Sequence, residues 1–248
     1  MTSAVQKAPR FSTEDAELVA ADLYGLEVAA APLPSERDQN FVLTAVSGRR
    51  FVLKIANAEE KFDFLDLQNQ IVRRLATSDI DLLFPQVIPT KNGEDIASIT
   101  SADSQAHFVR LLTWLDGECF ARVQPHNPTL LASLGRSLAQ MDLALTGFDH
   151  TSAHRFFYWD LRNADTLREW IELLPPDRRS LIVGFLDEWE KIDWANLRFS
   201  LIHNDANDYN VLVRGDGPAT QRVSAIIDYG DVVYTATVCN LAVALAYV

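Results

Sequence analysis

At 248 residues, with 48% hydrophobic and 23% charged residues, the chain has the composition of a soluble globular protein, long enough for one large or two modest domains. Its 34 acidic against 22 basic side chains leave a formal charge of −12, which argues against a nucleic-acid backbone or an anionic membrane as the main partner. Cys119 and Cys239 have neither metal-ligand spacing nor the density of a disulfide framework, and no apolar run reaches membrane-spanning length. The opening stretch MTSAVQKAPRFSTEDAE lacks the apolar core of a secretory signal, so the expected location is the cytoplasm.

In chain order, NFVLTAV (40–46) and FVLKIAN (51–57) flank the turn SGRR and predict a hairpin. On the second strand Phe51, Leu53 and Ile55 share one face, which leaves Val52 and Lys54 on the other. Residues 58–76 carry Leu65, Ile71, Val72 and Leu75 near helical spacing. FPQVIPTKNGEDIASIT predicts a second hairpin turning at Lys91–Asp95, and AHFVRLLTWLDGE (106–118) a buried strand running into a turn. Beyond that point the pattern becomes helical. Asn127 and Pro128 read as N-cap and first position of a helix through 145 with Leu130, Leu131, Leu134, Leu138, Met141 and Leu145 on one stripe. DTLREWIEL and DRRSLIVGFLDEWEKI follow as helices, then SLIHNDANDYNVLV, the turn RGDG, the strand leading to AIIDYGD, and the apolar helix VCNLAVALAYV. This order predicts an α+β, two-lobed layout, residues 1–115 forming the first lobe and 116–248 the second.

The chemistry concentrates at 200–231. His203, Asp205 and Asn210 fit H-x-D-x-x-x-x-N, and Asp228 and Asp231 follow in D-x-G-D. Acidic side chains at the ends of apolar strands are costly unless a metal ion or a moving proton uses them. Phosphoryl transfer to a hydroxyl needs one carboxylate to orient the hydroxyl and take its proton. It also needs hard-oxygen ligands for Mg²⁺ and a lysine for the remaining phosphate charge. Asp205, the pair Asn210 and Asp228, and Lys54 suit these roles in turn. Each has a plainer reading too: turn and cap residues for Asp205 and Asp208, a surface turn or supporting anchor for Asp231, a snorkelling strand residue for Lys54, a satisfied loop histidine for His203. Asp160 in YWDLRN (158–163) is either a carboxylate for an acceptor amine or a helix start.

Four pieces in order, FVLKI, FVRLLTWLDGE, LIHNDANDYNVLV and AIIDYGD, resemble the aminoglycoside phosphotransferase (APH) family of small-molecule kinases, which have a protein-kinase-like fold. LPSERDQNF (33–41) and HNDANDYNVLV look most like its hydroxylysine kinase branch, which includes kinase domains fused ahead of class III aminotransferases. The resemblance spans roughly residues 20–248 and implies a lobed fold with a nucleotide-binding N-terminal part and a catalytic C-terminal part. It implies that Asp205 is the catalytic base, that Asn210 and Asp228 are Mg²⁺ ligands and that Lys54 contacts the nucleotide phosphates. The backbone of Arg110 to Gly117, with Leu112 and Trp114, would meet the purine. The implied donor is GTP for this branch and ATP for the family at large. The implied acceptor is a small amino alcohol, 5-hydroxylysine first.

Three departures qualify that pattern. Where relatives place a glutamate to pair with the lysine, this chain holds Gln68, with Asp66 as a helical neighbour. No G-x-G-x-x-G loop is present, so phosphate cover would fall to the SERDQNF turn and Ser35. The chain stops at LAVALAYV, which predicts a C-terminally truncated lobe and leaves room for a fused downstream domain. The competing readings are an aminoglycoside-type antibiotic kinase and a non-catalytic nucleotide-binding module of a fusion protein. A two-metal phosphohydrolase would need more carboxylate or histidine ligands than these motifs supply.

Overall fold

The computed structural model describes residues 8–248; residues 1–7, the first part of the stretch read for a secretory leader, lie outside the described residues. The chain divides into two compact units, one of residues 1–76 with 84–116 and one of 77–83 with 117–248. The segment Thr77–Leu83 joins the second unit, where the Leu83 N–H donates to the Ser224 carbonyl at 2.8 Å.

The first unit is an antiparallel sheet with two helices. Helix α1 (Thr13–Tyr24) opens with a capping box, in which Ser12 and Asp15 satisfy each other's backbone N–H groups, and ends at Gly25 with φ +67°. Strands β1 (Val28–Leu33), β2 (Gln39–Ala45) and β3 (Arg50–Ile55) form a meander, and β3 pairs with β6 (Ala106–Thr113). Helix α1 and strand β1 are absent from the sequence-based expectation. The helix buries Ala16, Ala20 and Tyr24, and the alanine-rich strand buries no residue fully, so they give little periodic hydrophobic signal. The predicted second hairpin is corrected. The turn at Thr90–Glu94 is there, but β4 (Val87–Ile88) and β5 (Ala97–Thr100) do not pair with each other. Both pair with β6, β4 at Leu111–Leu112 and β5 at Ala106–Val109. A strand as apolar as β6 is flanked on both sides, which a hairpin pattern read locally does not reveal.

Alternation along these strands makes the core. Phe41 and Leu43, Phe51, Leu53 and Ile55, and Val109 and Leu111 turn to one face and pack on Ala16, Ala20 and Tyr24 of α1. On the opposite face Asn40, Lys54 and Arg110 stand in direct register across β2, β3 and β6. Helix α2 (Phe62–Ala76) meets this row with its own polar residues. Arg110 is only 3% exposed, and its guanidinium donates to the Leu65 carbonyl (3.2 Å), to Asn69 Oδ1 (2.9 Å) and to Gln68 Oε1 (2.7 Å). The Gln68 carboxamide oxygen thus serves the neighbouring arginine. A guanidinium taken out of water needs its planar donors met, and carbonyl oxygens spaced along one turn of α2 do so.

The second unit begins with β7 (Glu118–Cys119) and helix α3 (Pro128–Ala144), capped by Asn127 as expected. Its buried stripe is Leu130, Leu134, Leu138, Met141 and Leu145, whereas Leu131 points outward at 37% exposure. DTLREWIEL is a 3₁₀ segment within Leu161–Leu173, and helix α4 spans Pro176–Trp189. Strands β8 (Phe199–Ile202) and β11 (Val233–Ala236) pair with each other, while β9 (Val211–Arg214) pairs with both β10 (Arg222–Ile226) and β7. The RGDG turn joins β9 to β10 through Gly215 at φ +130°, where a Cβ would lie 2.6 Å from the Thr220 carbonyl oxygen. Helix α5 (Val238–Leu245) closes the described chain.

Gln68→Leu would remove the carboxamide oxygen that accepts from the buried Arg110 guanidinium and should cost about 1–3 kcal/mol in chemical denaturation. Val46→Ala, at a 95% exposed position, should stay within about 0.5 kcal/mol of wild type. Equal stabilities for the two variants would show that the carboxamide does not hold the arginine.

Candidate active site

Strands β8 and β9 flank residues 203–210, and five of the eight residues of the loop between them are asparagine or aspartate. His203 is buried, which pushes its imidazole below the usual histidine range. Its Nδ1 accepts from the Asp205 N–H (3.2 Å), so Nε2 carries the proton and donates to the Ile227 carbonyl (3.0 Å). Its ring meets Tyr229 edge-on at 4.9 Å. Both nitrogens are occupied, and the satisfied-loop reading of His203 holds.

Asp205 is half-buried at the centre of the loop. Asn210 Nδ2 donates to both its carbonyl (2.9 Å) and its Oδ2 (2.8 Å), and Asn207 Nδ2 donates to its Oδ1 (2.9 Å). Asn207 in turn accepts from the N–H groups of Tyr209 (2.9 Å) and Asn210 (3.1 Å), which makes the DAND segment a self-bonded turn. Burial pushes the Asp205 carboxyl up to about 6, the neighbouring charges of Asp231 and Asp228 push the same way, and the amides of Asn207 and Asn210 pull it down.

The second acidic segment is tied directly to the first. The Ile227 N–H donates to the Asn210 carbonyl at 2.8 Å, so the residue before Asp228 is fixed to the predicted metal ligand. Asp228 is exposed and left-handed at φ +64°, and its Oδ1 accepts from the Gly230 N–H at 3.2 Å. An aspartate tolerates that region better than most residues. Asp208 acts as a loop residue whose carbonyl accepts from the Ala121 N–H (2.9 Å). Asp160 resolves in favour of the helix start. It is 1% exposed, caps the 3₁₀ segment through the Arg162 N–H (3.0 Å) and accepts from Thr235 Oγ1 (2.8 Å).

Sequence reasoning missed Asn204, Asn207, Asn240 and Asp142. Asn204, left-handed at φ +65°, donates its N–H to Asn240 Oδ1 (3.2 Å) and its Nδ2 to the Trp159 carbonyl (3.2 Å). Asn240 Nδ2 donates to Asp142 Oδ1 at 2.8 Å, and burial pushes the Asp142 carboxyl up to about 6. The lone asparagine in an otherwise apolar terminal helix was the available signal.

The remaining predicted residues belong to the first unit. Lys54 is half-buried in mid-β3, and Ser35 is exposed in the loop joining β1 to β2. That loop is fastened at its far end, where Asp38 Oδ1 accepts from the Asn57 N–H (3.0 Å) and the Arg37 carbonyl accepts from Asn57 Nδ2 (3.2 Å). Leu112 lies in register with Val52 and Val87. The N–H groups of Thr113 and Trp114 donate to the Gln86 (2.9 Å) and Arg50 (3.2 Å) carbonyls. The indole of Trp114 lies under the Arg50 guanidinium at 4.8 Å and donates to Asp116 (3.1 Å). Arg110, buried against α2, presents no side-chain surface to a ligand.

Comparison with known proteins places the chain in a family. Residues 29–248 match the phosphotransferase enzyme family APH. The chain is 32% identical over 268 residues to hydroxylysine kinase of Bos taurus, covering 96% of this chain and 69% of that protein. It is 28% identical over 264 residues to the Danio rerio hydroxylysine kinase, covering 99% and 72%. Among solved structures, an aminopropanol kinase associated with a microcompartment superposes with a TM-score of 0.73 at 18% identity, covering 94% of this chain and 74% of that one. Amicoumacin kinase hAmiN, in complex with AMP-PNP and Ca²⁺, gives 0.72 at 16% identity, covering 99% and 71%. A matched region that includes β2, β3, the 203–210 loop and Asp228 makes this chain a member of the APH phosphotransferase enzyme family and a small-molecule kinase.

Proposed function

We propose that the protein transfers the terminal phosphate of GTP or ATP, as its Mg²⁺ complex, to the hydroxyl of a small amino-bearing metabolite, 5-hydroxylysine first. The observation that carries the reading is the pair of hydrogen bonds that Asn210 donates to the carbonyl and carboxylate of Asp205, which aims a half-buried carboxylate while leaving it able to take a proton. The identity to hydroxylysine kinases supports the choice of acceptor. Two unpaired thiols, Cys119 and Cys239, support a reducing, cytoplasmic location.

In this reading Asp205 accepts the hydroxyl proton as the acceptor oxygen forms its bond to the terminal phosphorus and the bond to the bridging oxygen breaks. Its raised affinity for a proton suits a base that must hold one through the transfer. The donor set fits Mg²⁺, an ion that keeps several waters and takes one or two carboxylates or amide oxygens from protein. Asn210 and Asp228 would hold it, and when bound it neutralises charge on the phosphate oxygens. Lys54 would steady the phosphates and Ser35 with its loop would cover them. The backbone leaving β6 at Trp114 would serve the purine.

Asp205→Asn keeps the shape of the loop and removes the proton acceptor. It should lower kcat by about 10²–10⁴-fold with nucleotide affinity retained. Retained turnover would remove Asp205 from the chemistry, and wild-type protein that binds nucleotide but phosphorylates no amino alcohol would be a non-catalytic module instead. Saturating Mg·GTP or Mg·ATP, at about a hundred times its Kd, should add about 2.7 kcal/mol to the folded state and raise Tm by about 5–10 °C. Asp228→Asn should shrink that shift; an equal shift in the variant would remove Asp228 from the metal.

A further inference from the structure

Helix α5 reads VCNLAVAL, and its one strongly polar side chain, Asn240, is completely buried. A carboxamide in such a place is costly unless both ends are satisfied. Here both are, and the chemistry of the partners fixes which way the amide faces. The backbone N–H of Asn204 only donates, so it meets Oδ1 (3.2 Å); the Asp142 carboxylate accepts, so it meets Nδ2 (2.8 Å). One side chain thus joins the active-site loop, helix α5 and helix α3. Asn204 immediately precedes Asp205, adopts a left-handed backbone, and has its own Nδ2 committed to the Trp159 carbonyl (3.2 Å).

The bonds that aim the Asp205 carboxylate come from Asn207 and Asn210, members of the same loop, and they travel with it. They set the shape of the turn but not where the turn sits. That position depends on bonds leaving the loop, and of the two that leave from Asn204, next to Asp205 on its N-terminal side, the side-chain one ends on the Trp159 carbonyl and the backbone one ends on Asn240. We infer that Asn240, oriented by Asp142, is a positioning residue for phosphoryl transfer: it holds the backbone ahead of Asp205 and so sets where that carboxylate points. This rests on the kinase reading with Asp205 as base. Asn204 is a link in the chain, with no contact to the reacting atoms assigned to it.

The test exchanges the two partners. Asn240→Asp keeps an acceptor for the Asn204 N–H but sets a second carboxylate against Asp142. Asp142→Asn alone keeps an acceptor for Asn240. In the double variant Asn240→Asp/Asp142→Asn the bond between the helices re-forms with its direction reversed, and the Asn204 N–H still finds an oxygen. Asn240→Asp should lower kcat about 10- to 100-fold, the scale of a small misplacement of a reacting group, with nucleotide KM moving less than about twofold. The double variant should recover to within about threefold of wild type, well above the product of the two single effects. A purely structural role would lower stability and the active fraction without splitting kcat from KM. Calorimetric nucleotide stoichiometry counts the active fraction.

An independent readout is hydrogen exchange of the Asn204 amide by NMR: protected in wild type and in the double variant, faster in Asn240→Asp and in Asn240→Leu. Wild-type kcat in Asn240→Asp, or no recovery in the double variant, would overturn the inference. If wild type shows no turnover with hydroxylysine or any other amino alcohol tested, the kinase reading fails. The exchange data then decide the anchor alone: unchanged Asn204 protection across the variants disproves it. Should Asn240→Leu not fold, the Asn240→Asp pair carries the test unaided.

Discussion

A carboxylate that serves as a base must be dry enough to want a proton and held firmly enough to meet one. For Asp205, the proposed base, the contact with Asn210 reconciles these demands. One amide nitrogen donates to the carbonyl and to a carboxylate oxygen of the same residue, so backbone and side chain of Asp205 are fixed together. The backbone of Asn210 then accepts from Ile227, which sets the segment bearing Asp228 and Asp231 against the loop. His203, neutral because it is buried, completes the frame by bridging the Asp205 N–H and the Ile227 carbonyl. The two acidic clusters that stand out in the sequence are therefore one structure, joined by backbone bonds around a histidine whose two ring nitrogens are both taken.

The first unit solves a related problem with the opposite charge. Lys54 and Arg110 stand opposite each other on adjacent strands, an arrangement that is unfavourable for like charges. The conflict is reduced by giving the two cations different surroundings. Arg110 is drawn into the interior under α2, its donors met by a main-chain carbonyl and two neutral amides. Lys54 stays half-buried on the face that the sheet's apolar core does not use. A glutamate at position 68 would have neutralised Arg110; a glutamine satisfies its geometry and leaves its charge in place.

How much of this was legible followed from how local each feature is. The β2–β3 hairpin, the Asn127-capped helix and the 203–210 loop are specified by residues within a few positions of one another, and all could be read directly. The Asp205–Asn210 bond lies within that reach as well. Pairing of β4 and β5 with β6 was hidden because the choice of neighbour depends on which strands the sheet still has to cover, not on the turn between them. The partner of Gln68 was hidden for the same reason: from the helix alone, two cations on two strands are equally available. Asp142 and Asn240 are 98 residues apart, and only the folded chain brings them together.

What these sites share is the use of neutral amides where a charge would also have made the bond. Asn204, Asn207, Asn210 and Asn240 surround the candidate base, and Gln68 and Asn69 surround the buried arginine. In a chain with a formal charge of −12, a further carboxylate beside Asp205, Asp228 and Asp231 would push the base's affinity for its proton higher and deepen the repulsion against an incoming polyphosphate. An amide avoids both effects, because it donates and accepts without adding charge. It also has a direction: reversing it breaks two bonds at once, so each amide between unlike partners fixes a single arrangement. Asn240, between a group that only donates and one that only accepts, shows that property in its simplest form. Rigidity at the loop is thereby obtained from directional neutral bonds, and negative charge is kept for Asp205 and for the proposed metal ligand Asp228.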